Sequence, residues 1–512
     1  MARNPITHIF KEAFSHTVSG NPDLVKELSD WKKTRRQFIR DLSLAAGAVT
    51  LIPACVTEKK IPEIVIVGAG MAGLNAAYQL NKKGIKSSLY EGSARAGGRM
   101  FTMKDQFGKG ITTDVGGEFV DTSHTDILQL MKEFNLPFYD LRTDKGAPKT
   151  FFFGGKLLDQ DDLRAAILPF AGQIAKDILT LPAILDYTTA KVFGHFDNMS
   201  ITQYLNSLGI QGWLFDFINV VLTREYGMEA KEQSAINFLI MFVPPVNSDK
   251  NYELFGPAHE VYKIKGGSQR LTDRMYETLK EQVVFNHRLT GIRSSANGRY
   301  ELIFTHQNKD KILEADYILI TIPFSILRNI SMDVPMPSAK RKCINEIGYG
   351  NSCKFIVGMN HKPWRKANRQ GYTFTDQELG AGWDSSQMQS DVEGSFTVFG
   401  GGDFGNIIQD SREADLKMNI IRTLNQIYPG VDEAYNNKNL KWCWGNFPFS
   451  KGGYSAFKIG QWSTLSGWEA VPVGNIYFAG EHVSKDCQGY MNGAAETSRV
   501  AVEKMLLQIQ KN

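Results

Sequence analysis

Three glycines near the start of the chain have the spacing of a nucleotide-binding loop. Gly68, Gly70 and Gly73 form a Gly-x-Gly-x-x-Gly sequence directly after the apolar run "EIVIV". In such a loop the first glycine permits a tight turn, the second lets the backbone approach a pyrophosphate, and the third lets the next helix pack closely on the strand. The spacing therefore predicts a site for the diphosphate of a dinucleotide.

An acidic residue further along indicates which dinucleotides would fit. Glu91 follows Gly73 at close to the ~20 residues at which an acid reaches the ribose hydroxyl groups. A carboxylate at this point disfavours a 2′-phosphate, because both groups are negatively charged. The loop and Glu91 together predict a dinucleotide whose ribose is not phosphorylated.

These residues need a strand, a helix and a second strand to position them. The segment "EIVIVGAG" is typical of a buried strand, "MAGLNAAYQLNKKG" of a helix that ends at Gly84, and "IKSSLYEG" of a second strand. A right-handed crossover places the two strands side by side and parallel. The helix then points its unpaired N–H groups and the positive end of its dipole at the phosphates.

Patterns further along the chain predict the remaining architecture. From Leu157 to about Val192 apolar residues recur every three or four positions, which indicates an inserted helical region. The segment "EADYILITIP" predicts another buried strand. Alternating apolar residues and aromatics from "GYGNSCKFIVGMNHKPW" to "GSFTVFGGG" predict an antiparallel sheet.

The composition is that of an ordinary globular protein and excludes several classes. A chain of 512 residues exceeds the ~250–300 residues at which single cores stop growing, so we expect two domains. A formal charge of +4 spread over such a surface does not indicate a nucleic-acid partner. The five cysteines have neither paired nor zinc-ligand spacing, so we expect no metal site, no disulfide framework and buried free thiols.

The first 60 residues resemble an export signal. Arg35 and Arg36 precede an apolar stretch from Leu42 to Ile52, which is shorter than the ~20 residues of a membrane-spanning helix and is typical of a signal peptide. The arginine pair predicts a twin-arginine signal, read by the Tat translocase, which carries folded proteins. Residues Ile52 to Cys55 resemble a lipoprotein box, so a lipid anchor on Cys55 is an alternative, as is a cytosolic amphipathic helix.

Four further segments carry a resemblance to a known family. "ARAGGRM" places two glycines and Arg99 after Glu91, "TDVGGEFV" adds another glycine pair, and "YFAGEH" and "GYMNGAAETSRVA" stand near the C-terminus. In this order they resemble the signatures of the flavin-dependent amine oxidases, which include monoamine, polyamine and L-amino acid oxidases. The resemblance runs from Ile61 to the C-terminus. It implies a two-domain α/β fold of the FAD/NAD(P)-binding Rossmann type, with a doubly wound sheet and a mixed α+β substrate domain.

The resemblance also implies which residues would hold FAD. The glycine loop and Glu91 would bind the ADP half, and Arg99 would lie by the pyrophosphate. Glu481 would lie near the ribitol and phosphate, and Leu289 would contact the adenine through its backbone, although a core strand position suits Leu289 equally well. The full set implied is Gly68, Gly70, Met71, Ala72, Gly73, Glu91, Gly92, Gly98, Arg99, Gly116, Gly117, Leu289, Glu481, Gly489, Tyr490, Met491 and Ala494.

Three further residues match the positions at which the family carries out its chemistry. In the family a hydride passes from the carbon beside the amine to flavin N5, which leaves an imine that water hydrolyses to a carbonyl. A lysine holds a water against N5, and "IGYGNSCKFIV" places Lys354 at that position. Two aromatic walls steer the neutral amine, and "SKGGYSAF" and "CQGYMNG" supply Tyr454 and Tyr490. We therefore expect Lys354, Tyr454 and Tyr490 to be the catalytic residues.

The chain departs from the family pattern at two positions. Some members attach the flavin through a cysteine just before the first aromatic wall, but here that residue is Gly453, so the FAD would be non-covalent. L-amino acid oxidases grip the substrate carboxylate with an arginine after the second glycine pair, where this chain has Phe119. Without such a partner a buried carboxylate would be costly. Phe119 thus favours an amine over an α-amino acid, unless another arginine reaches the site.

The expected domains are discontinuous. After a signal and linker at 1–60, the FAD-binding domain takes residues 61–130, 260–320 and 446–512, and the substrate-binding domain takes 131–259 and 321–445. The expected reaction is oxidative deamination of a primary or secondary amine. L-amino acid oxidation and FAD-dependent carbon–carbon desaturation are the alternative reactions. A flavin-free lipid-binding protein, like the escort proteins of small GTPases, is the non-enzymatic alternative.

The remaining expectations concern partners and location. The electron acceptor is either O2, which would yield H2O2, or another acceptor such as a periplasmic cytochrome. Export through the Tat translocase would place the protein in the periplasm, with contact to the membrane only through an anchor on Cys55. A homodimer is left open.

Overall fold

The computed structural model describes residues 62–242, 260–390 and 392–511, together with Asp23 and Glu27. The arginine pair and the apolar stretch that ends at Cys55 lie outside the described residues. Within the described residues, no helix combines the length and the apolar character that crossing a bilayer requires.

A five-stranded parallel sheet carries the glycine loop. Its spatial order is Val283–Val284, Ser88–Tyr90, Ile64–Val67, Tyr317–Ile320 and Ile476–Phe478. The central strand Ile64–Val67 is buried along its whole length, because both faces of the sheet are covered. Helix Met71–Asn81 follows the loop and packs on one face with helices Gln269–Leu279 and Met491–Lys511. The predicted strand–helix–strand unit is confirmed.

A four-stranded sheet shares the hydrophobic core on the other face. Its strands, in spatial order, are Lys309–Ala315, Tyr300–His306, Arg288–Ser294 and Ser331–Asp333. The strand Arg288–Ser294 carries Leu289, where an irregularity shifts the pairing with the neighbouring strand between Leu289 and Gly291. This places the backbone of Leu289 beside the end of the parallel sheet.

A seven-stranded sheet forms the second large layer. Its spatial order is Tyr435–Cys443, Cys353–Met359, Gly394–Gly400, Ala381–Asp384, Arg369–Thr375, Ala147–Phe153 and Lys156–Leu158. All neighbours are antiparallel except the pair Arg369–Thr375 and Ala147–Phe153. The predicted antiparallel sheet is confirmed. The strand Cys353–Met359 is buried throughout, so its charged residue, Lys354, has to find partners inside the protein.

Three small sheets lie around these layers. They pair Phe119–Val120 and Phe138–Asp140 with Tyr262–Ile264, Thr102–Lys104 with Thr112–Asp114, and Tyr349–Gly350 with Tyr454–Ser455. The last pair ties the segment of Tyr454 to the strand region that precedes Lys354.

The helical region predicted for 157–192 begins later than expected and has a break. Leu157 belongs to a short strand, and the helix Gln160–Leu179 starts after Asp159, whose side chain accepts hydrogen bonds from the backbone of Asp161 and Asp162. It ends ahead of Pro182, because a proline disfavours helical geometry in the residue before it. The other α-helices in the ranges 62–242, 260–390 and 392–511 are Thr125–Glu133, Ala190–Asp197, Ile201–Ser207, Gly212–Tyr226, Ala235–Leu239, Phe324–Leu327, Ser338–Glu346, Pro363–Lys366, Gly402–Asp410, Glu413–Ile427, Val431–Ala434 and Gln461–Thr464.

The expectation that all cysteines are free thiols is wrong for two of them. Cys353 and Cys443 stand directly opposite each other on neighbouring antiparallel strands and are joined by a disulfide. Sequence spacing could not show this pair, because the two residues are 90 positions apart and meet only through strand pairing. Cys343 and Cys487 are buried, and Cys55 lies outside the described residues.

Candidate active site

One deep cleft contains the candidate residues from all parts of the chain. It is lined by the glycine loop, the segment around Arg99, the glycine pair Gly116 and Gly117, Lys354, and the two tyrosines Tyr454 and Tyr490. The space inside it, counted to the open mouth, is ≈ 1960 Å³. Residues of the glycine loop and residues at the tyrosine end thus border one continuous space, as an extended dinucleotide with a substrate beside it requires.

The glycine loop leaves its backbone open to a ligand. Gly68 has a φ of +103°, which a side chain would disfavour. A Cβ on Gly73 would lie 1.8 Å from the Gly68 carbonyl oxygen, so only glycine permits this packing. The helix that starts at Met71 receives no side-chain cap from any described residue, and its first N–H groups can therefore meet a phosphate.

Glu91 lies where the sequence predicted it, at the end of the second strand, and lines the cleft. One carboxylate oxygen accepts a hydrogen bond from Ala69 N at 2.7 Å, and the other accepts from Ser93 N at 2.8 Å. These bonds orient the carboxylate beside the glycine loop. The neighbouring Gly92 packs against the Phe449 ring, which a Cβ would approach to 2.7 Å.

Leu289 is both a residue of the cleft and a residue of the hydrophobic core, the two roles that its sequence position allowed. The residue lines the cleft, but it is only 5% exposed and belongs to the hydrophobic core. Any contact it makes with an adenine would therefore come mainly from its backbone.

Arg99 and Glu481 connect the first and last parts of the cleft. Arg99 Nη1 donates to Glu481 Oε1 at 2.8 Å and to the Gly453 carbonyl oxygen at 2.7 Å. Glu481 also accepts from the Ser455 hydroxyl and from Gly489 N. Burial alone would raise the pKa of Glu481, but Arg99 outweighs it and holds the pKa below the usual value. A charged Glu481 thus joins segments that are 382 residues apart.

The remaining predicted glycines are close-packed around the same floor. A Cβ on Gly116 would lie 2.0 Å from the Arg99 carbonyl oxygen, and one on Gly117 would lie 2.9 Å from Met491 Cγ. Gly98 has a φ of +55°, and a Cβ on it would lie 3.1 Å from the Cα of Gly70. The other predicted residues that line the cleft are Met71, Ala72, Gly489 and Ala494.

Lys354 is buried and has protein acceptors for all three protons of its ammonium group. Nζ donates to the Asp114 carbonyl oxygen at 2.7 Å, to the Gly116 carbonyl oxygen at 3.0 Å and to Glu118 Oε2 at 3.0 Å. The side chain is 5% exposed. Lys354 therefore clamps the loop of the second glycine pair to the seven-stranded sheet.

Glu118 is a residue of the cleft that sequence reasoning missed. Its carboxylate lies between two lysines, with Lys263 Nζ at 2.7 Å from Oε1 and Lys354 Nζ at 3.0 Å from Oε2. Trp383 Nε1 also donates to Oε1 at 3.0 Å. Burial alone would raise the pKa of Glu118, but the two lysines hold it below the usual value. The only available signal was the carboxylate that follows the glycine pair in "GGEFV".

Tyr454 and Tyr490 both line the cleft, and their hydroxyl groups are held by consecutive residues. The Tyr454 hydroxyl donates to the Arg224 carbonyl oxygen at 2.6 Å, and the Tyr490 hydroxyl donates to Glu225 Oε1 at 2.8 Å. Burial raises the pKa of Tyr454, so its hydroxyl stays protonated. One helix end therefore fixes both rings.

The position of the absent cysteine has no room for any side chain. A Cβ on Gly453 would lie 2.3 Å from Ser352 Cβ. A cysteine could not be accommodated without moving the backbone, in agreement with a flavin that is not attached at this position.

Three further charged residues of the cleft were missed by sequence reasoning, and two of them lie at the helix end that holds the tyrosines. Arg224, Glu225 and Glu260 all line the cleft. Glu260 Oε2 accepts from the Tyr372 hydroxyl at 3.2 Å. Burial and the nearby Asp121 and Glu225 raise the pKa of Glu260 well above the usual value. No local pattern could identify these residues, since ordinary helical and loop positions carry them.

The cleft fits FAD on the evidence of its own residues. The Gly68–Gly73 turn and the uncapped helix suit a pyrophosphate, and Glu91 suits a ribose. The glycine floor at Gly116 and Gly117 leaves space that a Cβ would fill. The cofactor expected from the sequence therefore has a matching site.

Several known proteins are similar to this chain. An L-amino-acid oxidase of Protobothrops flavoviridis is 25% identical over 442 residues, which cover 82% of this chain and 84% of that protein. A structure of putrescine oxidase bound to putrescine has a TM-score of 0.74 at 19% identity and covers 87% of this chain and 99% of that one. Cyclohexylamine oxidase from Brevibacterium oxydans has a TM-score of 0.75 at 17% identity, covering 88% and 100%. The two structures support the two-domain Rossmann-type α/β fold.

The family assignment rests on a match over most of the chain. Residues 71–506 match the family model described as flavin containing amine oxidoreductase. This range includes the last part of the glycine loop, Lys354, both tyrosines and the C-terminal signature. The chain therefore belongs to the family of flavin-containing amine oxidoreductases.

Proposed function

We propose that this protein oxidises a primary or secondary amine that binds between Tyr454 and Tyr490, and that Lys354, Tyr454 and Tyr490 are its catalytic residues. The chain is a flavin-dependent oxidoreductase that acts on CH–NH groups, and FAD is its cofactor. The observation that carries the proposal is the convergence of these three side chains on the cleft that also holds the dinucleotide loop.

FAD, when bound, would supply the oxidising chemistry: a hydride equivalent leaves the carbon that carries the nitrogen, and water hydrolyses the resulting imine to a carbonyl and a free amine or ammonia. The protein supplies orientation. Because the hydroxyl groups of Tyr454 and Tyr490 are tethered at 2.6 Å and 2.8 Å, the rings cannot turn freely. Fixed ring faces restrict the approach of the amine and attract its polar end.

We further propose that Lys354 positions a water molecule at the reacting end of the cleft. An ammonium group has three donors, and all three already have protein acceptors. A water would therefore have to replace one of these acceptors or share a proton with it. Because Glu118 is also held by Lys263 and Trp383, sharing a proton with the water is the arrangement that leaves these contacts intact.

The location of the protein and its electron acceptor are also proposals. Arg35 and Arg36 support export through the Tat translocase to the periplasm, with or without a lipid anchor on Cys55. A Cys353–Cys443 disulfide agrees with an oxidising compartment, where such bonds persist. The acceptor is O2, with H2O2 as product, or a periplasmic cytochrome.

The expected domain division is likewise a proposal. The five-stranded parallel sheet draws its strands from the segments assigned to the FAD-binding domain, and the seven-stranded sheet draws its strands from those assigned to the substrate-binding domain. This partition supports the proposed division at 61–130, 260–320 and 446–512 against 131–259 and 321–445.

Anaerobic mixing tests the reaction directly. The purified holoprotein should be yellow, and at least one amine of a broad panel should bleach the flavin absorbance without oxygen. Adding O2 or an oxidised cytochrome afterwards identifies the acceptor by which of them restores the colour. A yellow protein that no amine or amino acid bleaches would contradict amine oxidation and revive carbon–carbon desaturation.

A further inference from the structure

Arg224 brings a guanidinium group into the cleft from a helix, not from the loop after Gly117 where the sequence argument looked for an arginine. It lies in the last turn of the helix Gly212–Tyr226, lines the cleft, and is only 7% exposed. Its own carbonyl oxygen accepts the hydrogen bond from the Tyr454 hydroxyl at 2.6 Å. The arginine is thus tied to the proposed amine-binding wall through its backbone.

Two nitrogens of the guanidinium group are buried without an acceptor in the described part of the chain. Among the described residues, none accepts a hydrogen bond from Nε or Nη1, and both nitrogens are inaccessible to solvent. The groups packed around the cation are aromatic faces, with ring centroids of Phe399 at 4.8 Å, Trp383 at 5.4 Å and Phe374 at 5.7 Å from Cζ. Ring faces attract a cation but do not replace in-plane acceptors for its N–H groups.

Two carboxyl groups lie nearby, but both are held by other donors. Glu225 accepts from the Tyr490 hydroxyl at 2.8 Å, and Glu260 accepts from the Tyr372 hydroxyl at 3.2 Å. Neither forms an ion pair with Arg224 within the part of the chain that the structure describes. Burial also raises the pKa of Glu260 well above the usual value, which favours its neutral form. Glu225 and Glu260 thus attract Arg224 only at longer range, and a direct partner for its guanidinium group is left to a ligand.

Arg224 and Phe119 both contact the ring of Trp383. Phe119 is the residue that replaces the carboxylate-binding arginine of L-amino acid oxidases. The rings of Phe119 and Trp383 are 5.5 Å apart, and the Arg224 guanidinium contacts that same tryptophan. Lys354 Nζ also lies 5.2 Å from the Trp383 ring. The guanidinium group and Lys354 therefore lie against the same tryptophan. The sequence argument was that a carboxylate has no arginine partner because Phe119 replaces it, and Arg224 can be that partner.

We propose that Arg224 binds the carboxylate of the substrate, and that the substrate is therefore an amine that also carries a carboxylate group. This inference rests on the proposed amine oxidation and names its substrate class. A guanidinium donates charge-assisted hydrogen bonds to a carboxylate, and these are shorter and stronger than hydrogen bonds between neutral groups. The aromatic side chains of Phe119, Trp383 and Phe399 line the cleft and suit an apolar body between the two charged ends of such a substrate.

The test compares matched pairs of compounds in the holoprotein. L-phenylalanine is paired with 2-phenylethylamine, L-leucine with 3-methylbutylamine, and 5-aminopentanoate with butylamine, so that each pair differs only in a carboxylate. The rate of anaerobic flavin bleaching is measured against concentration. We expect the carboxylated member of at least one pair to have the higher apparent affinity, by roughly 10- to 100-fold, which is the scale of hydrogen bonds to a charged group. The pair that shows the preference tells whether the carboxylate is on the α-carbon or at the far end.

Substitution of Arg224 tests whether this residue causes the preference for the carboxylated compound. In Arg224→Met the affinity ratio within the preferred pair should fall at least 10-fold, and Arg224→Lys should retain the charge and only part of the ratio, because lysine lacks the planar fork. Arg365→Met is the matched control, since Arg365 pairs with Asp144 and does not line the cleft. It should leave the ratio unchanged. Equal ratios in wild type and Arg224→Met would overturn the proposal.

Binding of an acid without an amine separates this inference from the reaction. 3-Phenylpropanoate cannot be deaminated, but it should perturb the flavin spectrum of the wild-type holoprotein and protect it against thermal unfolding. Arg224→Lys should weaken this effect, and if Arg224→Met does not fold, the lysine variant decides. Binding of 3-phenylpropanoate together with a failure of every amine to bleach the flavin would contradict the proposed reaction alone. Binding that is equal in wild type and Arg224→Lys, with no preference in any pair, would contradict the role of Arg224 alone.

Discussion

Lys354 and Glu118 form an ion pair of 3.0 Å inside the cleft, and both side chains are almost completely excluded from solvent. Lys263 binds the other oxygen of the same carboxylate at 2.7 Å. The two lysines and the glutamate therefore form one buried unit. Because that unit borders the floor of the cleft, its integrity bears on both stability and catalysis.

Neutralising the central carboxylate should destabilise the protein. In Glu118→Gln two buried lysines would lose the carboxylate that both of them contact, and breaking a buried pair in this way costs about 3–5 kcal/mol. We expect a clear fall in the midpoint of thermal unfolding of the apoprotein. Glu346→Gln is the control, since that residue is half exposed and lies 3.9 Å from its lysine. Equal midpoints for both variants would show that the buried unit adds no stability.

Removing the lysine should slow the chemistry while the cofactor stays bound. Lys354→Met retains much of the side-chain volume but loses the ammonium group that holds the Asp114 and Gly116 carbonyl oxygens. We expect anaerobic flavin reduction to slow by roughly 10²-fold or more, the scale of a lost proton-handling group. Lys362→Met removes another buried lysine, which pairs with Asp384 and does not line the cleft. If Lys362→Met slows reduction as much, the effect on Lys354→Met is structural.

A methyl group in the glycine loop should abolish the yellow colour. A Cβ on Gly73 would lie 1.8 Å from the Gly68 carbonyl oxygen, so the loop would have to move away from its present packing. We expect Gly73→Ala to be purified without FAD, as measured by absorbance near the flavin band. Gly172→Ala has no atom within 4 Å of its new Cβ and should bind FAD like the wild type. A yellow Gly73→Ala protein with unchanged affinity would argue against the loop as the dinucleotide site.

The tyrosine hydroxyl groups should matter for orientation more than for binding of the cofactor. Tyr454→Phe keeps the ring but loses the bond to the Arg224 carbonyl oxygen, and leaving such a buried acceptor unpaired costs about 1–3 kcal/mol. We expect kcat/KM to fall by roughly 10-fold, as 1.4 kcal/mol corresponds to tenfold, with FAD content unchanged. Tyr428→Phe breaks comparable buried bonds to Thr150 and Thr373 away from the cleft. It should leave kcat/KM as in the wild type.

The Arg99–Glu481 pair should contribute stability that is lost in acid. The pKa of Glu481 is held below its usual value of 4.5, because Arg99 outweighs the effect of burial. A carboxyl group whose folded-state pKa is lowered stabilises the protein above the pKa of the unfolded chain, and the contribution disappears as the pH falls through the folded-state pKa. We expect Arg99→Met to unfold at a higher pH than the wild type on acid titration followed by tryptophan fluorescence. An unchanged acid midpoint would show that the ion pair does not lower the pKa.

The local part of the site could be predicted because its residues act within short stretches of chain. The turn at Gly68, the close packing at Gly73 and the acid at Glu91 follow from one strand–helix–strand unit, and the structure places all three as expected. The positions of Lys354, Tyr454 and Tyr490 were predicted only through resemblance to a family. In the structure these three residues line one cleft, although 136 positions separate Lys354 from Tyr490 in the printed numbering.

The sequence by itself determined that a dinucleotide site opens the main domain, that a buried antiparallel sheet follows, and that a flavin family pattern extends to the C-terminus. Only the tertiary structure decided that Cys353 is bonded to Cys443 and that Glu118 lies between two lysines. It also decided that Arg224 lines the cleft, in which Phe119 replaces the arginine of L-amino acid oxidases. The physical reason is the range of the interactions. Turns and helix starts depend on neighbours a few residues away, whereas ion pairs and strand partners depend on which distant segments the folded core brings together.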